Sequence, residues 1–278
     1  MMKRILLPTD FSENAYNAIS YALHFFKDEK CHFILLNTLY NSDYIIYSSL
    51  NTLYENNSLK KLEQLRKHIV TEFNNPNHEF ESVSSFNMLY QEIEERAKNK
   101  EIDLIVMGTN GASGGEEILF GTHTVHAIQI AKCPLLAIPS NYKYKELEHI
   151  LFATKYEIDF AQYQMSLIKN LAEKRNAKIH VMHANFGNRL TDEQLQSKKD
   201  LDSFFDETSH DFNSVYKDSV PEAIEEFNKE KPIDLLVMIK HRRSFIEKLL
   251  FSSIINEIGF NAKFPFLVLP TESYNPEN

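Results

Sequence analysis

The run Ile102-Asp-Leu-Ile-Val-Met-Gly-Thr-Asn-Gly-Ala-Ser-Gly-Gly-Glu-Glu-Ile-Leu-Phe-Gly-Thr122 decides the fold. It opens on Ile102–Met107, near-continuously apolar, which reads as a strand covered on both faces. Five of the chain's seven glycines then fall in the fourteen residues from Gly108 to Gly121. Beyond them, Thr122-His-Thr-Val-His-Ala-Ile-Gln-Ile-Ala131 reads as a helix. Glycine accepts positive φ and lets a backbone approach a ligand closely. Set between a strand and a helix N-terminus, such a loop presents backbone N–H groups at the positive end of the helix dipole, which suits phosphate. A surface loop that holds no ligand would use the same glycines, and their number alone does not separate the two.

Working outward, strand patterns occupy Arg4–Pro8, His32–Thr38, His78–Ser84, Ile102–Met107 and Leu135–Pro139, with helical patterns at Glu13–Phe26, Leu59–Phe73, Met88–Asn99 and Thr122–Ala131. Strands alternating with helices imply an α/β fold with a parallel sheet. The order then repeats, with strands near His149–Ala153, Lys178–His183, Phe212–Lys217, Ile233–Met238 and Phe264–Pro270. Ile233-Asp-Leu-Leu-Val-Met238 restates Ile102–Met107, and Glu148-His-Ile-Leu-Phe-Ala-Thr-Lys155 restates Lys3-Arg-Ile-Leu-Leu-Pro-Thr-Asp10. Cys133-Pro-Leu-Leu-Ala-Ile-Pro139 and Phe264-Pro-Phe-Leu-Val-Leu-Pro270 close the two halves alike. The chain is therefore a tandem duplication, expected as domains 1–142 and 146–275, joined by a short polar stretch that leaves the halves packed together rather than swinging freely. In the second copy Gly108, Gly111 and Gly121 become Ile239, Arg242 and Ser252, and Asp10 becomes Lys155. Side chains there would obstruct an anion, which points to one working site per chain.

Composition narrows the function. The 278 residues carry a net charge of −9, and each half is acidic by itself, with 12 basic against 17 acidic residues through Tyr142 and 18 against 22 beyond it. Nucleic acid is not expected as a partner, because backbone binding needs clustered positive charge. No apolar stretch approaches the ~20 residues that span a bilayer. The apolar start is too short for a signal peptide, so a cytoplasmic location is expected. Cys31 and Cys133 lie among apolar residues and read as buried hydrophobes.

The residues resemble the universal stress protein family in its tandem-domain form. Its nucleotide motif is Gly, two residues, Gly, nine residues, Gly, then Ser or Thr, and Gly108, Gly111, Gly121 and Thr122 meet that spacing. Pro8-Thr-Asp-Phe-Ser12 resembles the family's first strand and turn, and Cys133–Pro139 its last strand. The match is carried by motifs over residues 1–140 and by architecture beyond. It implies two doubly wound domains, each with a five-stranded parallel sheet in the order 3-2-1-4-5, with ligand where the strand order reverses. It further implies ATP with Mg²⁺ carried by the phosphates. Pro8, Thr9, Asp10 and Thr38 would surround the adenosine, Met107 would border the base, and Gly108, Gly111, Gly121, Thr122 and the His123 amide would hold phosphates. Pairing of the last strands within one chain would make a pseudo-dimer, with a homodimer as a further form. The implied role is a nucleotide-dependent stress-response sensor or accessory protein acting through a protein partner.

Bottom-up chemistry agrees for the phosphate half. Thr122 is placed to cap the helix, and the helix terminus contributes ~0.3–1 kcal/mol toward an anion at exposed sites. No Gly-Lys-Ser/Thr follows the glycines and no basic residue lies in 101–131, so this is not an ATPase-type P-loop, and binding without fast hydrolysis is expected. Gly114 and Gly115 add flexibility to the spacer, while Glu116 and Glu117 add negative charge. A slow ATPase or phosphotransferase, with Ser113 or Thr122 as acceptor or Asp10 as base, is an alternative, as is a scaffold with vestigial sites. His123 and His126 have a metal-compatible spacing but no third ligand nearby. Lys240-His-Arg-Arg243 is the densest basic cluster and reads as a solvated loop or an anion contact. Leu39–Asn57, with Tyr40, Tyr44, Tyr47 and Tyr54, reads as a long loop after strand two, a lid or a contact surface.

Overall fold

The computed structural model describes residues 2–39, 48–109, 122–156, 162–240 and 263–270. These fall into two compact units, one running to Tyr144 and the other starting at Lys145.

The first unit contains β1 (Lys3–Pro8), α1 (Glu13–Phe25), β2 (Cys31–Thr38), α2 (Ser48–Phe73), β3 (His78–Ser85), α3 (Leu89–Lys98), β4 (Leu104–Gly108), α4 (Thr122–Ile130) and β5 (Leu135–Ile138). Its strands run β3-β2-β1-β4-β5, each parallel to its neighbour. The chain adds β2 and β3 on one side of β1, then returns to lay β4 and β5 on the other. This is the 3-2-1-4-5 order. The central strands are apolar on both faces: Ile5, Leu6 and Leu7 are consecutive and all fully buried. The edge strand β3 instead exposes Glu79 and Glu81, on either side of half-buried Phe80. Charge of this kind discourages further strand pairing at an edge.

Helix α1 starts where Ser12 Oγ accepts the Ala15 amide, with Glu13 in the first turn. Asn17 on that helix donates through Nδ2 to the carbonyls of Pro139 and Tyr142, both at 3.1 Å, tying α1 to the segment that follows β5. Cys31 and Cys133 are buried, and burial pushes the Cys133 thiol up to about 12. One expectation needs correction. Leu39–Asn57 is not wholly a loop: 40–47 lie outside the described residues, but 48–57 form the first turns of α2. Its buried seam is Ser58, Leu62 and Ile69. Leu53 is 65% exposed.

The second unit contains β6 (His149–Ala153), α5 (Gln162–Arg175), β7 (Lys178–Asn185), α6 (Asp192–Phe204), β8 (His210–Tyr216), α7 (Val220–Glu230), β9 (Leu235–Lys240) and β10 (Phe266–Pro270). Its order, β8-β7-β6-β9-β10 and all parallel, is the same as in the first unit. The repeated Ile-Asp-Leu now has a structural reason. Asp103 Oδ2 accepts the Arg4 amide at 2.8 Å, and Asp234 Oδ2 accepts the His149 amide at 2.8 Å. In return the amides of Asp103 and Asp234 donate to the carbonyls of Arg4 and His149. Each aspartate therefore locks the strand it opens against the start of the first strand of its unit.

A polar cluster sits where β6, β7 and β8 begin. His180 Nδ1 lies 2.8 Å from Asp211 Oδ1, so that nitrogen carries the proton and donates. His180 Nε2 then accepts from His149 Nδ1 at 3.1 Å. Burial opposes ionisation of Asp211, but hydrogen bonds from His180, Lys178 and Asn213 outweigh it and hold the carboxyl well below the usual range. His180 itself is pulled down by burial, against the pull of Asp211.

Candidate functional site

In a parallel sheet of this order, side chains at the C-terminal ends of β1 and β4 converge where the order reverses. β1 and β4 pair directly, Ile5 with Leu104 and Leu6 with Ile105, so their ends lie side by side.

The end of β1 is a tight, internally bonded turn. Thr9 donates its amide to Leu36 O at 2.8 Å, continuing the ladder one residue past the strand. Thr9 Oγ1 then accepts the Phe11 amide and Asp10 Oδ1 accepts the Ser12 amide, both at 3.0 Å. Phe11 is held at φ 64, in the left-handed region that side chains normally avoid. Two short-range side-chain acceptors, the usual chemistry of Asx and Ser/Thr turns, offset that strain. The result leaves Asp10 exposed at the strand end and Thr9 buried.

Beneath the turn runs a chain of buried polar groups. Asn37 Nδ2 donates to Thr9 O at 2.8 Å, Ser58 Oγ donates to Asn37 Oδ1 at 2.8 Å, and Ser84 Oγ donates to Ser58 Oγ at 2.9 Å. This chain ties the C-terminal ends of β1, β2 and β3 to α2. Thr38, the last residue of β2, is half-buried beside it.

The end of β4 is fixed from the other side. Met107 is buried, Gly108 ends the strand, and Thr109 donates its amide to Ile138 O at 2.9 Å. Thr124, buried on α4, donates Oγ1 to Gly108 O at 2.8 Å and lies 3.3 Å from Thr109 O. One hydroxyl thus pins the first turn of α4 against the end of β4. Thr122 opens that helix and His123 is exposed beside it. His126 rests against the ring of Tyr90, centroids 4.8 Å apart. Among the described residues no group of three or more His, Cys, Asp or Glu could hold a metal, and no helix is long and apolar enough to cross a membrane.

Pro8, Thr9, Asp10, Thr38, Met107 and Gly108 therefore come to neighbouring strand ends, with Thr122 and His123 opening α4. Gly111, Gly114, Gly115 and Gly121, together with Ser113, Glu116 and Glu117, lie outside the described residues, as do His241, Arg242 and Arg243 of the basic cluster. Sequence reasoning missed Asn37 and Thr124. Asn37 follows the apolar run Phe33-Ile-Leu-Leu36, whereas Thr124 stands among Thr122, His123 and His126, so neither stood out before the fold showed its backbone partner.

The second unit keeps the frame and changes the chemistry. Thr154 Oγ1 accepts the Tyr156 amide at 3.0 Å, and Tyr156 has φ 58. Lys155 stands where Asp10 does. Buried Ile239 stands where Gly108 does, and Tyr156, itself buried, stacks on His183 with centroids 5.2 Å apart.

The sequence pattern described as the Universal stress protein family matches twice, over residues 1–139 and 147–270. Two universal stress proteins of Methanocaldococcus jannaschii are similar: one is 28% identical over 151 residues, covering 50% of this chain and 82% of the relative. The other is 29% identical over 154 residues, covering 50% of this chain and 95% of the relative. A crystal structure of a universal stress protein from Archaeoglobus fulgidus shares the fold over 96% of both chains, with a TM-score of 0.70 at 17% identity. With the family pattern present in both halves and the same strand order in each unit, this chain belongs to the universal stress protein family, in tandem-domain form.

Proposed function

We propose that the first unit binds an adenine nucleotide, ATP carrying Mg²⁺ on its phosphates, and that the chain acts as a nucleotide-dependent stress sensor with one working site. The observation that carries this reading is the pairing of β1 with β4: it sets the Thr9–Asp10 turn beside Gly108 and the start of α4. The donor set fits such a ligand. An exposed carboxylate at Asp10 suits ribose hydroxyls. A side-chain-free residue at Gly108 followed by a helix N-terminus suits an anion. Thr124 holds that terminus in place, and Asn37 holds the turn opposite. Bound Mg²⁺ would neutralise phosphate charge that no lysine or arginine of residues 101–131 offsets. The second unit supports a single site, since buried Ile239 replaces Gly108 and Lys155 replaces Asp10.

The test is calorimetric titration of the intact chain with Mg-ATP, followed by product analysis. Saturable binding with ATP recovered unchanged supports the sensor. Steady ADP release, or a phosphorylated chain, replaces it with a slow ATPase or phosphotransferase. No heat of binding and no co-purifying nucleotide would leave a scaffold with vestigial sites.

A further inference from the structure

Helix α2 is anchored to the turn that carries Asp10. Its side chains from Leu53 to Asn57 are exposed or half-buried, and Ser58, 3% exposed, is the first buried one among the described side chains of the helix. A serine inside a helix commonly bonds back to a carbonyl of its own preceding turn. Ser58 instead sends its hydroxyl across to β2, where Asn37 Oδ1 accepts it at 2.8 Å. One turn on, Lys61 Nζ lies 5.5 Å from the ring centroid of Phe11, the residue held at φ 64. Residues three apart share a helix face, so α2 reaches the Thr9–Ser12 turn twice from one side.

The direction of each hydrogen bond in this connection follows from its end point. Thr9 O only accepts, so Asn37 presents Nδ2 to it and turns Oδ1 toward α2. That oxygen requires a donor, so the single proton of Ser58 Oγ goes there, and Ser58 accepts from Ser84 Oγ in turn. Reversing any member sets donor against donor or acceptor against acceptor. Asn37 and Ser58 are both buried, and a buried polar group that loses its partner is costly. Such a chain resists opening at one end alone.

We propose that occupation of the nucleotide site is transmitted to α2 through the Asn37–Ser58 hydrogen bond, which makes the turn of this helix around Ser58 the element that reports bound nucleotide. Such coupling rests on the nucleotide reading and supplies its output. A ligand that engages Asp10 immobilises the turn between Thr9 and Ser12. Thr9 O then holds Asn37 more firmly, and Asn37 holds Ser58. No displacement of the backbone is needed, because a ligand that suppresses opening at one end lowers the population of open states at the other. Along the helix the amides of residues 58–61 bond to the carbonyls of residues 54–57. These amides exchange with solvent when the turn around Ser58 opens.

The experiment is hydrogen–deuterium exchange of the intact chain with and without excess Mg-ATP, with calorimetry on the same sample. The amides of residues 58–61 should slow about fivefold or more on binding, as ordinary coupling between sites allows. Those of Val70–Phe73, at the far end of α2, should keep their rates. In Ser58→Ala, a substitution that favours helix, ATP should still bind and still slow exchange at Phe11 and Ser12, while residues 58–61 no longer respond. Ser84→Ala, which spares the joint with Asn37, should keep the response. Heat of binding with unchanged exchange at 58–61 would overturn the coupling and leave the nucleotide site standing. A response that survives Ser58→Ala, or is lost in Ser84→Ala, would overturn the route through Asn37. No heat of binding and no change in exchange anywhere would remove the nucleotide reading, and the coupling with it.

Discussion

Asn37 and His183 hold the same place in the two repeats and do the same work with different chemistry. Asn37 Nδ2 donates to Thr9 O at 2.8 Å, and His183 Nδ1 donates to Thr154 O at 3.2 Å. The strand registers establish the equivalence: Leu36 pairs with Pro8 and Met182 with Ala153, one residue before each donor. The turn that ends the first strand of each unit is thus retained where the residues around it have changed.

Removing the first of these donors should loosen the turn. Asn37→Ala leaves Thr9 O and Ser58 Oγ without their buried partner, at a cost of about 1–3 kcal/mol, read from hydrogen exchange of the β1 and β2 amides. It should also weaken ATP, because Asp10 follows Thr9 directly. His183→Ala should disturb the second unit and leave ATP affinity unchanged.

Asp10→Ala separates site from scaffold. Asp10 is exposed, and its Oδ1 accepts the Ser12 amide, a local bond at the surface. Stability should change little, while nucleotide affinity falls by about tenfold or more, in line with losing hydrogen bonds to a charged group. Calorimetry on the variant and thermal unfolding without nucleotide check the two halves of this statement.

The paired aspartates should differ in consequence. The Asp234 side chain is 6% exposed and accepts the amides of both Glu148 and His149, whereas that of Asp103 is 20% exposed and meets Arg4. Each buried donor left unpaired costs about 1–3 kcal/mol, so Asp234→Ala should destabilise more than Asp103→Ala. A two-unit chain need not unfold in one step, and exchange rates at β6 and β1 give each unit its own reading.

Acid should act first through histidine. Burial lowers the pKa of His78, against its bond to Phe26 O, and likewise lowers that of His180. Below the ordinary imidazole value of about 6.5 the unfolded chain takes up protons that these folded residues refuse. The unfolded state then binds more protons, and stability falls as pH falls. Denaturation between pH 7 and 5.5 should show this decline, with a shallower slope for His78→Gln. Asp211, held low in the folded state, keeps its contribution until much more acidic pH.

The architecture was legible because burial on two faces leaves an unmistakable pattern. Ile5-Leu-Leu7 and Leu235-Leu-Val-Met238 are strands by composition alone, and the recurrence of Ile-Asp-Leu exposed the duplication. The first turns of α2 were read as loop because Leu53 and Tyr54 stand among Ser, Asn and Thr residues of the kind that fill loops. At the candidate site, sequence reading picked out Asp10 and Gly108, which lie at the ends of the paired strands β1 and β4. It passed over Asn37 and Thr124, which act by bonding to backbone carbonyls of other segments. Such partners are set by tertiary placement, and neither residue type nor spacing announces them.

Stoichiometry tests the central claim most directly. Calorimetric titration of the intact chain with Mg-ATP should give one nucleotide bound per chain, with binding lost in Gly111→Val. Zero or two nucleotides per chain, or undiminished binding in Gly111→Val, would contradict it.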